Sequence, residues 1–112
     1  MLEQRDIVLI PVPYTDLSST KSRPVLVVSS TVWNRTSRDI LVVAITSNLI
    51  VSANGAIINT IDMERGSLPR QSLVRANKIY TLSQASVIKI YGKLNTVKFE
   101  EVLQQLDTVL GR

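Results

Sequence analysis

Apolar residues in this chain come in short, β-branched runs separated by polar stretches carrying Pro, Gly and Ser, and only near the C-terminus does their spacing become helical. Asp6 to Val12 (DIVLIPV) is nearly continuous and ends among Pro11 and Pro13, the pattern of a strand covered on both faces. Tyr14 to Ser22 (YTDLSSTKS) is polar and too short for a helix with a buried stripe, so it is expected to cross the surface between two strands. Pro24 to Ser29 (PVLVVS) predicts a second strand, and Ile40 to Ile45 (ILVVAI), apolar at every position, a third and central one. Ala56 to Ile61, introduced by the turn signal Asn54-Gly55, predicts another. Met63 to Arg70, with Gly66 and Pro69, reads as a loop. Gln71 to Val74 and Lys78 to Tyr80 read as short strands, and the alternation in Val87 to Leu94 as a half-exposed one.

From Thr96 to Leu110 the period changes. Phe99, Val102, Leu103, Leu106, Val109 and Leu110 recur at helical spacing and give one apolar face. Asn95 or Thr96 can cap this helix, Glu100 and Glu101 suit the positive end of its dipole, and Gly111 stands where a helix commonly ends. Many short strands closed by one helix predict a mainly β barrel or sandwich. At 112 residues, with no repeat, linker or low-complexity segment, residues 1–112 are expected to form one domain.

Composition narrows the chemistry. The chain has no Cys and no His, which removes disulfides, thiolate or imidazole metal sites and the usual imidazole general base, so no metal and no cofactor are expected. Any chemistry rests on Arg, Lys, carboxylates and hydroxyls. Thirteen Lys and Arg against nine Asp and Glu give a net charge of +4, which leans toward an anionic partner such as nucleic acid. The N-terminus has no signal-peptide pattern and no apolar stretch reaches membrane length, so a cytoplasmic protein is expected. Asn34-Arg35-Thr36 formally matches a glycosylation acceptor, without use in that compartment.

Asp6-Ile7-Val8-Leu9-Ile10-Pro11, then Thr15-Asp16, then Lys21 to Ser29 (KSRPVLVVS), resemble the opening of the PemK/MazF toxin family. Trp33-Asn34-Arg35 is similar to its aromatic-Asn element, Val43 to Ser47 (VAITS) to its third strand and hydroxyl pair, and Ser72 to Ile79 (SLVRANKI) to its Arg-bearing segment. The order and spacing of these pieces, from Asp6 to the terminal helix, carry the resemblance. It implies an SH3-like (CcdB/PemK-type) twisted β-barrel with a C-terminal helix, usually a homodimer, that cleaves single-stranded RNA and is neutralised by a cognate antitoxin. Operator DNA would be bound only together with that antitoxin. Two departures stand out: Arg5 occupies a place where many relatives have Gly before the first-strand Asp, and Asn77 a place where some carry an Asp proposed as a base. Asn cannot accept a proton usefully near neutral pH.

RNA cleavage without a metal proceeds by attack of the 2′-hydroxyl on the adjacent phosphorus and needs charge stabilisation on the phosphorane. Arg23, at the exit of a polar loop onto a strand, offers a planar fork of donors for phosphate; its alternative is a pair with a carboxylate such as Asp16. Thr46 ends an apolar strand, where its hydroxyl and that of Ser47 can donate to a phosphate; a backbone bond is the alternative for Thr46. Arg75 is a third phosphate candidate or a surface cation. Tyr14 and Trp33 can stack unpaired bases, Trp33 equally serving a dimer interface or the core. With the resemblance, Arg23, Thr46 and Arg75 form the expected catalytic set. Tyr14, Asp16, Ser18, Lys21, Trp33, Asn34, Ser47, Asn77 and Lys78 are the expected substrate contacts. A gyrase-binding toxin of the same fold and an inactive SH3-like binding module are the rival readings.

Overall fold

Asp6–Pro13 forms strand β1, an interior strand of the sheet with a partner on each side. The computed structural model describes residues 1–13, 20–49 and 55–112. The other strands are β2 (Thr20–Val27), β3 (Asp39–Thr46), β4 (Gly55–Ile58), β5 (Met63–Gly66), β6 (Ser72–Ser83) and β7 (Lys89–Leu94), with helices α1 (Thr31–Thr36) and α2 (Thr96–Leu110). They make one seven-stranded sheet in the order β4-β6-β3-β2-β1-β7-β5, antiparallel at every step. The expectation of a mainly β fold with a C-terminal helix holds. The sheet is not hydrogen-bonded shut into a barrel: β4 and β5 are its two edges. Among the described residues no helix is long and apolar enough to cross a membrane.

The unbroken apolar runs fill two cores, one on each face. Ile7, Leu26, Val43, Ile45 and Val74 pack with Phe99, Val102 and Leu106 of α2 on one side. Val8, Ile10, Val12, Val25, Val27, Ile40 and Val42 pack on the other, with Leu2, Tyr80, Leu82 and Val87. That second face has no long helix over it, so the curl of the sheet must help enclose it. Each fully buried Val or Ile contributes roughly 1.5–3 kcal/mol of transfer free energy.

Helix α2 starts where the Asn95 side chain accepts the Lys98 N–H at 2.8 Å and ends at Gly111 in the left-handed region. Because Asn95 is the cap, Glu100 and Glu101 fall beyond the first turn, which holds no acid; Lys98 sits there instead and pairs with Glu101 at 3.0 Å. Three further expectations need correction. The run from Pro24 to Ser29 enters its strand earlier, at Thr20, because β1 offers a partner as far as Pro13. The two short strands expected at Gln71–Val74 and Lys78–Tyr80 are one long strand, β6, which starts at Ser72 and is interrupted by a bulge. Met63–Gly66, expected in a loop, is the edge strand β5.

Gly66 does not break β5; it lets β5 and β7 approach. It stands opposite Gly92, both at positive φ, and a Cβ on Gly66 would lie 2.1 Å from the Tyr91 carbonyl oxygen. A Cβ on Gly92 would lie 2.2 Å from the Arg65 carbonyl oxygen. Near the other end of this edge Arg5 takes φ 80, a conformation open to Gly and strained for other residues. Its guanidinium donates to the Leu94 carbonyl at 2.7 Å and to Glu64 at 2.8 Å, which holds the turn. Glu3 binds Lys93 and Arg65, and the Lys93 hydrogen bond holds its carboxyl below the ordinary value; Arg5 does the same to Glu64. Burial pushes Asp6 the other way, against the Glu3 N–H it accepts.

Gly92→Ala should force the β5–β7 pair apart and lower the melting temperature by about 5 °C or more, equivalent to at least ~1 kcal/mol. Thermal unfolding followed by circular dichroism checks this, and an unchanged melting temperature would contradict the close approach.

Candidate functional site

Strand β2 stays with β1 from Leu26 opposite Ile7 to Thr20 opposite Pro13, whereas it pairs with β3 only from Val27 opposite Val42 to Val25 opposite Ala44. Beyond that point β3 continues against β6, as far as Thr46 opposite Leu73. The sheet therefore forks between β2 and β3. Pro24, which has no N–H to donate, is the β2 residue at which pairing with β3 ends. Extending the lost register would set Arg23 against Thr46, so these two flank the mouth of the fork, both half-buried.

Alternation decides which side chains share a face. Arg23 follows Val25 and Thr46 follows Ala44, and Ala44 pairs with Arg75 on β6, so Arg23, Thr46 and Arg75 stand on one face. They line a recess of about 220 Å³ together with Val12, Lys78 and Tyr80. The β6 bulge makes this possible: Val43 pairs with Ile79 but Ala44 with Arg75, leaving Ala76, Asn77 and Lys78 without β3 partners and bringing Lys78 to the same recess. Asn77 is exposed on the bulge. Arg75 Nε is buried and has no hydrogen-bond partner among the described residues. A buried guanidinium N–H left without an acceptor is costly, and an anion entering the recess is what would satisfy it. Thr46 Oγ1 accepts the Asn48 N–H at 3.1 Å, the backbone bond anticipated for it; as an acceptor there it keeps its proton to donate.

A second recess, of about 270 Å³, opens beside the same fork. Ser22, Pro24, Ile45, Ser47 and Ser72 belong by alternation to the opposite face, and they line it with Lys21, Leu68, Pro69, Arg70 and Tyr91. Arg23, Ile45 and Thr46 line both recesses. Ser47 thus serves the second recess rather than standing beside Thr46 as a second phosphate donor. Among the described residues, the charged side chains that line the two recesses are all Lys and Arg.

Of the expected contacts, Tyr14, Asp16 and Ser18 lie outside the described residues. Trp33 and Asn34 are not brought to the fork. Trp33 is exposed on α1. Asn34 is 2% exposed: its Oδ1 accepts from Ser29 Oγ at 2.6 Å and its Nδ2 donates to the carbonyls of Leu2 and Ser29. It ties the N-terminal segment to the sheet, because α1, too short to show a period, turns it inward. Tyr80, Leu68, Pro69, Arg70, Ser72 and Tyr91 were not singled out from the sequence; the basic Arg70 beside Pro69 was the available signal.

Asn34→Ala should cost about 1–3 kcal/mol, since it strips partners from buried polar groups, while Asn77→Ala should stay within roughly 0.5 kcal/mol of the parent. Urea unfolding of both variants decides it; equal stabilities would return Asn34 to the candidate contacts.

A model of the PemK-like, MazF-like toxin of type II toxin–antitoxin systems matches residues 3–110. No curated protein gives a significant sequence match. Among solved structures, an endoribonuclease in complex with its cognate antitoxin from a mycobacterial species superposes with a TM-score of 0.81 at 20% identity, covering 99% of this chain and 96% of that one. MazF from Deinococcus radiodurans gives 0.79 at 17% identity, covering 99% and 97%. The Mycobacterium tuberculosis toxin MazF-mt6 gives 0.77 at 18% identity, covering 96% and 97%. These likenesses establish the shared fold, and the family match, which runs through both recesses and into the last turn of α2, establishes that the chain belongs to the PemK-like, MazF-like toxins of type II toxin–antitoxin systems.

Proposed function

We propose that the chain is a metal-independent, sequence-selective endoribonuclease that cuts single-stranded RNA and is neutralised by a cognate antitoxin. The observation that carries this reading is the meeting of Arg23, Thr46 and Arg75 in one cationic recess at the fork, with the buried Arg75 Nε lacking an acceptor among the described residues. The fold shared with an endoribonuclease solved with its antitoxin supports it. Membership in a toxin–antitoxin family supports the antitoxin partner. Operator DNA is proposed as a partner only of the toxin–antitoxin complex, and the cytoplasm, where mRNA is translated, as the place of action.

In this mechanism the 2′-hydroxyl attacks the adjacent phosphorus and the bond to the 5′-oxygen breaks, leaving a 2′,3′-cyclic phosphate and a 5′-hydroxyl. Arg23 and Arg75 bind the non-bridging oxygens, where negative charge grows in the transition state. The Thr46 hydroxyl, oriented by the Asn48 N–H, donates to the same centre. Half-burial of these groups keeps their electrostatic effect larger than it would be in open water.

The purified protein should cut single-stranded RNA in excess EDTA and leave 5′-hydroxyl ends. Thr46→Val should slow single-turnover cleavage on the order of 10²-fold, or about 3 kcal/mol. Arg23→Lys, which keeps charge but loses the bidentate fork, should slow it by about tenfold or more with folding intact. A requirement for added magnesium, 5′-phosphate products, or parental rates in both variants would sink this mechanism.

We also propose a two-fold homodimer. Val32 and Trp33, adjacent on α1 and both more than half exposed at 71% and 56%, give an apolar surface that a second copy would cover. Light scattering at micromolar concentration should report twice the chain mass, and a monomer would refute it.

A further inference from the structure

We propose that the second recess at the fork is a base-selecting pocket: it takes the unpaired nucleobase next to the phosphate held by Arg23 and Thr46, and Ser72 reads an amino group on that base. This rests on the nuclease reading and deepens it. The two recesses share Arg23, Ile45 and Thr46 but lie on opposite faces of the sheet, so a nucleotide whose phosphate enters one can place its base in the other. Their linings differ as those roles require. The first is lined by Arg23, Arg75 and Lys78, suited to a phosphodiester. The second has the apolar walls Leu68, Pro69 and Tyr91 with the hydroxyls of Ser22, Ser47 and Ser72, the mix of apolar surface and few polar groups that holds and orients a flat ligand.

Ser72 gives the pocket its direction of reading. It is buried, and its Oγ donates to the Arg70 carbonyl at 3.1 Å, so toward a ligand it has only lone pairs to offer. A buried acceptor selects an N–H donor and penalises a group that leaves it unmatched. Adenine, cytosine and guanine each carry an exocyclic amino group, which projects from the ring and can donate to it; uracil has none, and its one Watson–Crick-edge donor, the ring N3–H, lies between two carbonyl acceptors that would oppose the Ser72 lone pairs. Tyr91 is held in place by the Lys89 ammonium, 4.9 Å from its ring centroid, and by packing against the core, so the apolar wall is fixed before the base arrives.

The test has two arms. In the first, cuts made by the parent protein, Ser72→Ala and Ser47→Ala are mapped on a random-sequence RNA. One position flanking the cut should be depleted of uracil by about three- to tenfold in the parent. That depletion should collapse in Ser72→Ala and weaken in Ser47→Ala, with preferences at other positions kept. Ser47 is exposed on the rim, so its variant keeps the test decisive if Ser72→Ala does not fold. In the second arm, a random-sequence pool with 2′-deoxy sugars, which cannot be cut by 2′-hydroxyl attack, is selected for binding and sequenced. A parent that cuts nothing overturns the nuclease reading, while uracil-averse binding that disappears in the variants still upholds the pocket. Binding with no base preference, unchanged depletion in the variants, or a preference for uracil overturns the pocket and leaves the nuclease reading standing.

Discussion

Strand β2 has two neighbours and keeps full register with only one of them. Its ladder with β1 runs from Leu26 to Thr20, and its ladder with β3 stops at Val25, where Pro24 follows. Had β2 and β3 stayed paired to their ends, Arg23 and Thr46 would sit side by side on a continuous surface, with one recess on each face sealed from the other by backbone. Their separation turns the end of the sheet into a cleft reached from both faces. The cationic recess, the apolar-walled recess and the three residues they share all follow from it.

Among the described residues, the carboxylates are kept away from this cleft. Glu3, Glu64 and Asp6 are gathered where β1, β7 and β5 meet, engaged with Lys93, Arg65 and Arg5 or with the backbone. Arg5 has a further part there: in a strained left-handed conformation, it is held by its bonds to Leu94 and Glu64, where a Gly would need no such anchoring. The acids of that end thus serve the fold, and no described carboxylate lines either recess.

What could be read from the sequence was whatever depends on local period. The apolar runs of β1 and β3 and the helical stripe of α2 were visible because burial on a face leaves a repeat. Helix α1 was not, since its six residues are too few to show one. The edge strand β5 was hidden because Gly66 reads as a breaker, whereas here it answers Gly92 across the pair. Resemblance placed Arg23, Thr46 and Arg75 together, and the strand registers explain how they share a face. Asn34 was misplaced because its inward turn depends on contacts with Leu2 and Ser29 that no spacing encodes. Ser47 and Ser72 differ from Thr46 and Arg75 in parity, but which parity faces which recess appears only once the fork is known.

A cleft at a place where two strands have already parted takes no ladder between them to keep, since each strand is still held from its other side. Side chains at its rim are exposed: Lys21, Ser22 and Ser47 beyond the last β2–β3 pair, and Arg70 just before β6. Exchanging them removes little buried surface, so rim chemistry and fold stability are nearly separate variables in this architecture. A lineage built on this sheet can therefore explore new ligand preferences one residue at a time without passing through unfolded intermediates.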